Sequence, residues 1–91
     1  MMNKFKGLDF GQALEQLRAG KNVARRGWNG SGIYIGLHKP VNEFMTQEFI
    51  YINTTGLITD NDESPKSLVP WLASQTDMLA NDWVVVAARS K

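Results

Sequence analysis

Cysteine is absent from the chain, and histidine occurs once, at His38. The first shortage removes a disulfide framework and any cysteine-based metal site; the second leaves a single imidazole for acid–base work. His38 stands beside Lys39-Pro40 at the end of an apolar run, with no carboxylate or hydroxyl spaced to act with it. A catalytic role for it is not expected. No run of about 18 apolar residues is present, nor a charged start followed by an apolar stretch and a cleavage site. The expectation is a soluble, cytoplasmic protein with no membrane partner. The 91 residues allow one domain, 1–91. A chain of that size buries only about 60–65% of its unfolded surface, so packing between copies is expected to supplement the fold.

Charge of one sign is also scarce, the net being +1. That argues against a coat for DNA or RNA. The two signs are unevenly placed, however. Residues 1–39 carry Lys4, Lys6, Arg18, Lys21, Arg25, Arg26 and Lys39 against Asp9 and Glu15. Residues 40–91 carry Lys66, Arg89 and Lys91 against Glu43, Glu48, Asp60, Asp62, Glu63, Asp77 and Asp82. Two readings follow: the halves attract each other in the fold, or the basic half holds a local site for phosphates.

What the chain does contain is organised around VPWLASQTDMLANDW, residues 69–83. Pro70 keeps Val69 extended. Ser74 with Asp77 three residues on is a capping-box start to a short helix, and Asn81 is a plausible left-handed stop. Trp83 then opens an apolar strand, 83–88. Its apolar positions are consecutive, so both faces should be covered. Upstream, Asp9 with Gln12 marks another helix start, and Phe10, Ala13, Leu14 and Leu17 give it one apolar face, ended at Gly20.

Residues 22–28 read as a strand with Ala24, Arg26 and Trp28 on one face. Asn29-Gly30-Ser31-Gly32 is a hairpin signal into a strand at 33–37, which Lys39-Pro40 ends. A further strand is expected at 49–53, turned by Thr54-Thr55-Gly56, with 57–59 pairing back across it. Residues 1–7 read as an edge strand or a frayed start, and 60–67 as an acidic surface loop. The sum is an α+β fold: an antiparallel sheet of about five strands with two short helices, in a homo-oligomer.

Several apparent motifs dissolve on inspection. Asp60-Asn61-Asp62-Glu63 lacks the glycine and the distant glutamate of a calcium loop. Gly30-Ser31-Gly32 lacks the lysine and the helix pattern of a phosphate loop. Two groups remain. Arg25, Arg26, Trp28 and Asn29 put guanidinium forks beside an indole, a pairing suited to a phosphate and a base. Trp71 followed by Ser74, Gln75, Thr76 and Asp77 puts hydroxyls and an amide at a helix start beside a second indole.

The combination VARRGWNG and VPWLASQTDMLANDWVVV, after the LDFGQALEQLRAGK helix, resembles the Thoeris anti-defence protein 2 family of small phage proteins. The likeness covers residues 8–37 and 68–87. Its motif positions fall on Arg25, Gly27, Trp28, Asn29, Pro70, Trp71, Gln75, Thr76, Asp77, Asp82 and Trp83; Arg26 stands where relatives often carry lysine. The resemblance implies a sponge with no enzyme activity and no cofactor. It would bind the cyclic ADP-ribose isomer made by TIR-domain proteins, and in some members cyclic dinucleotides, as a homotetramer in the cytoplasm of the infected host. On that reading Arg25 or Arg26 takes the pyrophosphate, Trp28 or Trp71 stacks on adenine, and Ser74, Gln75 or Thr76 reads ribose or phosphate. The rival reading is a protein-binding module with exposed tryptophans as anchors.

Overall fold

Helix α1 (Phe10–Arg18) begins where Asp9 caps it. The Asp9 carboxylate accepts the Gln12 N–H at 2.8 Å, and the Gln12 side chain accepts the Asp9 N–H at 2.9 Å. Gly20, at a φ of 93°, turns the chain out of the helix in a conformation glycine adopts without steric cost. Ala13 and Leu17 are buried, with Phe10 and Leu14 packed beside them, so the apolar face read from the sequence is the one that meets the sheet.

The computed structural model describes residues 7–28, 32–40, 47–56 and 67–86. Among them are strands β1 (Asn22–Arg25), β2 (Tyr34–His38), β3 (Phe49–Asn53) and β4 (Leu68–Pro70), helix α2 (Gln75–Leu79) and strand β5 (Trp83–Val86). The five strands form one antiparallel sheet in the order β4-β3-β2-β1-β5. After β4 the chain therefore crosses to the far edge of the sheet before β5 begins, and α2 lies on that crossing.

Cross-strand register divides the sheet into two faces, because opposed residues point the same way. Val23 lies opposite Ile35 and Val85, Ile35 opposite Ile52, Leu37 opposite Ile50, and Arg25 opposite Trp83. This is the face that α1 covers, and Val23, Ile35 and Trp83 are fully buried there with Ala13 and Leu17. The other face carries Ala24 opposite Val84, Asn22 opposite Val86, Gly36 opposite Tyr51, His38 opposite Phe49 and Asn53 opposite Leu68. Gly36 is required there: a Cβ would meet the Tyr51 hydroxyl at 2.5 Å and Asn22 Oδ1 at 2.7 Å, so the phenol lies across the bare backbone.

Three expectations are corrected. First, β1 stops at Arg25, and Trp28 does not continue the Ala24 face. Asp82 accounts for the early stop, because its carbonyl accepts the Arg26 N–H at 3.1 Å and its carboxylate the Gly27 N–H at 2.9 Å. Second, a strand forms at Leu68–Pro70. Its edge position tolerates Pro70, which has no N–H to give a further neighbour. Third, Asn81 is not a left-handed stop. The helix ends at an extended Ala80, with ψ of 155°, and no described residue other than glycine has a positive φ. The strand expected at 57–59 lies outside the described residues, as do residues 1–6, Asn29 to Ser31 and most of the acidic loop.

Among the described residues, β5 is covered unevenly. Trp83 is buried, but Val84 and Val86 are half-buried and Val85 is 46% exposed.

Candidate functional site

Trp83 is the hub of an aromatic cluster. Its ring centroid lies 5.4 Å from Phe10, 5.4 Å from Trp28 and 6.1 Å from Trp71, the two indoles meeting it nearly edge-on at 81° and 80°. Edge contacts of this kind add roughly 0.5–1.5 kcal/mol to the area each ring buries. Trp28 and Trp71 also touch each other, at 6.3 Å and 68°, and both are half-buried. Trp83 is thus packing mass, while its two neighbours keep part of their surface outside.

Two carboxylates hold the end of β1 beneath this cluster. Arg25 donates from Nε to Asp82 Oδ1 at 2.8 Å and from Nη1 to Asp77 Oδ1 at 2.9 Å. The Trp28 Nε1–H donates to that same Asp77 oxygen at 3.3 Å. Asp77 is anchored in turn by its own helix: its N–H donates to Ser74 Oγ at 3.1 Å, and its Oδ2 accepts the Ser74 N–H at 3.3 Å. The Asp77 carbonyl takes the Trp83 indole N–H at 3.1 Å. One residue of α2 therefore ties down two tryptophans and an arginine.

The three side chains are largely shielded, with exposures of 16% for Arg25, 14% for Asp77 and 27% for Asp82. Hydrogen bonding to Asp82 is the main effect raising the Arg25 guanidinium above its usual pKa, with Asp77 adding to it. Burial by itself would push the Asp77 carboxyl up, but donation from Arg25, Ser74 and Trp28 outweighs it and holds the group below the ordinary range. Asp82 is also lowered, chiefly by Arg25, with the Gly27 N–H helping against burial. This junction of basic β1 with acidic residues 77 and 82 is where the two charge-biased parts of the chain meet.

An acid-stability prediction follows. Both carboxyls are depressed in the folded state, so their contribution is complete above the unfolded value near 3.8 and is lost as pH falls through the folded values. Urea unfolding followed by tryptophan fluorescence should show stability falling below about pH 4, and Asp82→Asn should be weaker at neutral pH and lose less on acidification. A wild-type stability that stays level down to about pH 2 would contradict the pairing.

Beside this network lies an open depression of about 310 Å³. Ala24, Arg25, Arg26, Trp28, Gly32, Ile33, Val84 and Val86 line it. Of the residues singled out from sequence, it brings together Arg25, Arg26 and Trp28. Ser74, Gln75, Thr76, Asp77 and Trp71 do not line it. Gln75 and Thr76 are exposed at the start of α2, the Ser74 hydroxyl caps the helix, and Trp71 packs in the aromatic cluster with its backbone N–H on Ile50 O at 2.9 Å. Asn29 lies outside the described residues. Sequence reasoning did not pick out the apolar lining of Ala24, Ile33, Val84 and Val86; opposed register across the β1–β5 pair is what assembles it, and no local pattern announces that. Asp82 was visible only as a motif position.

His38 packs its ring on Phe49 at 4.8 Å. Among the described residues, no three His, Asp or Glu side chains stand close enough to hold a metal ion, and no helix is long and apolar enough to cross a membrane.

Comparison with known proteins gives two concordant matches. The family model described as the Thoeris anti-defense 2-like domain matches residues 8–86. The chain is also similar to Thoeris anti-defense 2 of Bacillus phage SP01, with 33% identity over 94 residues, covering 88% of this chain and 96% of the relative.

Proposed function

The chain belongs to the Thoeris anti-defense 2-like family, and from that premise we propose that it is a phage anti-defence sponge. It captures a cyclic ADP-ribose-type signal, the glycocyclic isomer made by TIR-domain proteins, and holds it without breaking a bond. Cyclic dinucleotides are a second ligand class for the same kind of site. The observation that carries this reading is the depression itself, which Trp28 and Arg26 line beside an apolar floor of Ala24, Val84 and Val86. A flat base can lie against the one and a phosphate against the other. Arg25 gives Nε and Nη1 to Asp82 and Asp77, and both it and Arg26 line the depression, where either can meet a phosphate. Gln75 and Thr76, exposed at the start of α2, remain for ribose hydroxyls or a second phosphate.

Size supports assembly as part of the function. Ligand pockets run from about 300 to 1,000 Å³, so this one is at the small end and open to solvent. Nanomolar capture requires about −12 kcal/mol. One stack contributes roughly 1–3 and one charge-assisted hydrogen bond roughly 1.5–3, so a single open protomer falls short. A second copy laid over the open face, where Val84, Val86, Tyr34 and Tyr51 stand, would wall the site and cover β5. The proposed state is a homotetramer. Burial, with Tyr34 adding to it, pushes the Tyr51 hydroxyl on that face above its ordinary value.

The rival, a protein-binding module with projecting tryptophans, has less support. Trp83 is sealed, and Trp28 and Trp71 are half-buried with their rings packed on it. Calorimetric titration of the assembled protein with glycocyclic ADP-ribose tests the proposal. Saturable binding at micromolar affinity or tighter is expected, with far weaker binding to a single-stranded oligonucleotide. No heat with any cyclic nucleotide would overturn it.

A further inference from the structure

Trp28 follows a turn, so no strand pairing fixes its side chain. The outer torsion of an indole is broad and roughly two-fold, so ring contacts with Trp83 and Trp71 do not by themselves choose its setting. Different settings differ in where the N–H points. In the structure it points to Asp77 Oδ1 at 3.3 Å, and that oxygen is held in place by Arg25 Nη1 at 2.9 Å, while Asp82 holds the other side of the guanidinium at 2.8 Å. Asp77 does not itself line the depression. We propose that Asp77 is a positioning residue for the site: through its hydrogen bond it selects one rotation of the Trp28 indole and so sets the surface the ligand stacks on. This rests on the reading of that depression as the ligand site.

The relay Asp82–Arg25–Asp77–Trp28 joins the start of β5, the end of β1 and helix α2. Shifting any of its members rotates the indole rather than removing it. Asp77→Asn keeps the size of the side chain but gives up the charge that holds Arg25 and the Trp28 N–H on one oxygen, and puts an NH2 donor where Oδ2 accepts the Ser74 N–H. In uniformly nitrogen-labelled Asp77→Asn protein, the Trp28 indole N–H resonance should move or split into two. The Trp83 resonance should stay near its place, since its bond is to the Asp77 backbone. Affinity for glycocyclic ADP-ribose should fall by about tenfold or more, the ordinary worth of a hydrogen bond to a charged group.

A purely stabilising role for Asp77 would lower the melting temperature and leave the Trp28 resonance and the affinity of the folded variant at wild-type values; that result overturns the proposal. Where Asp77→Asn does not fold, Arg25→Lys replaces it, keeping the charge and losing the two-pronged grip on the carboxylates. It should shift the same resonance and weaken binding, and a folded Arg25→Lys protein unchanged in both overturns the proposal equally. If the wild-type protein itself binds no glycocyclic ADP-ribose, the reading of the site falls, and the indole resonance alone decides whether Asp77 orients Trp28.

Discussion

Trp28→Ala is expected to lower affinity for glycocyclic ADP-ribose by about ten- to a hundredfold while leaving the protein folded and assembled. The stack alone accounts for most of this, at roughly 1–3 kcal/mol per base, and each 1.4 kcal/mol is about a factor of ten. Loss of the indole also lets water into the wall of the depression. The fold should survive because Trp28 sits on the outside of the cluster, half-buried, whereas Phe10 and Trp71 still cover Trp83 from other sides. Titration calorimetry gives the affinity, and light scattering gives the assembly. A Trp28→Ala protein of wild-type affinity would remove Trp28 from the site.

Trp83→Ala should have the opposite profile, a large loss of stability whatever the ligand. The ring is fully buried, touches three other aromatics and donates its N–H to the Asp77 carbonyl at 3.1 Å. Removing a buried tryptophan costs about 3–5 kcal/mol, plus the unpaired carbonyl it leaves behind. Small domains hold only about 5–15 kcal/mol in total, so most of the variant should be unfolded or close to it at 37 °C. Denaturant titration followed by circular dichroism measures this. A loss below about 1 kcal/mol would mean that the cluster does not carry the core.

Contrasting these two tryptophans shows how far the sequence could be read. Both capping boxes, Asp9 with Gln12 and Ser74 with Asp77, are local signals and form as written. The apolar face of α1 and the strand at Phe49–Asn53 are likewise set by short-range periodicity. Long-range pairing is what the sequence concealed. Arg25 meets Asp77 and Asp82 more than fifty positions along the chain, and Asp82 also takes the Arg26 and Gly27 N–H groups where alternation alone would continue a strand. Val84 and Val86 become the floor of a depression only because β5 returns beside β1 rather than beside β4. Leu68–Pro70 became a strand for the same reason, with β3 as its template and a proline at an edge that tolerates it.

The candidate site was half legible. Arg25, Arg26 and Trp28 all line the depression, as their proximity in sequence implied, and Arg25 is held there by two carboxylates as well. Asp77 stood out from its place at a helix start, but its chief contacts are with side chains that no local pattern could name.

Sequestration, the central claim, is tested most directly by stoichiometry. Protein is mixed with an excess of glycocyclic ADP-ribose, free and bound nucleotide are separated, and the bound fraction is released by heat and weighed by mass spectrometry. The account predicts that the amount withdrawn stops at a fixed ratio to protein, that it does not grow with time, and that the released material has its starting mass. Continued disappearance of the signal beyond one equivalent per site, or a released product of altered mass, would contradict it.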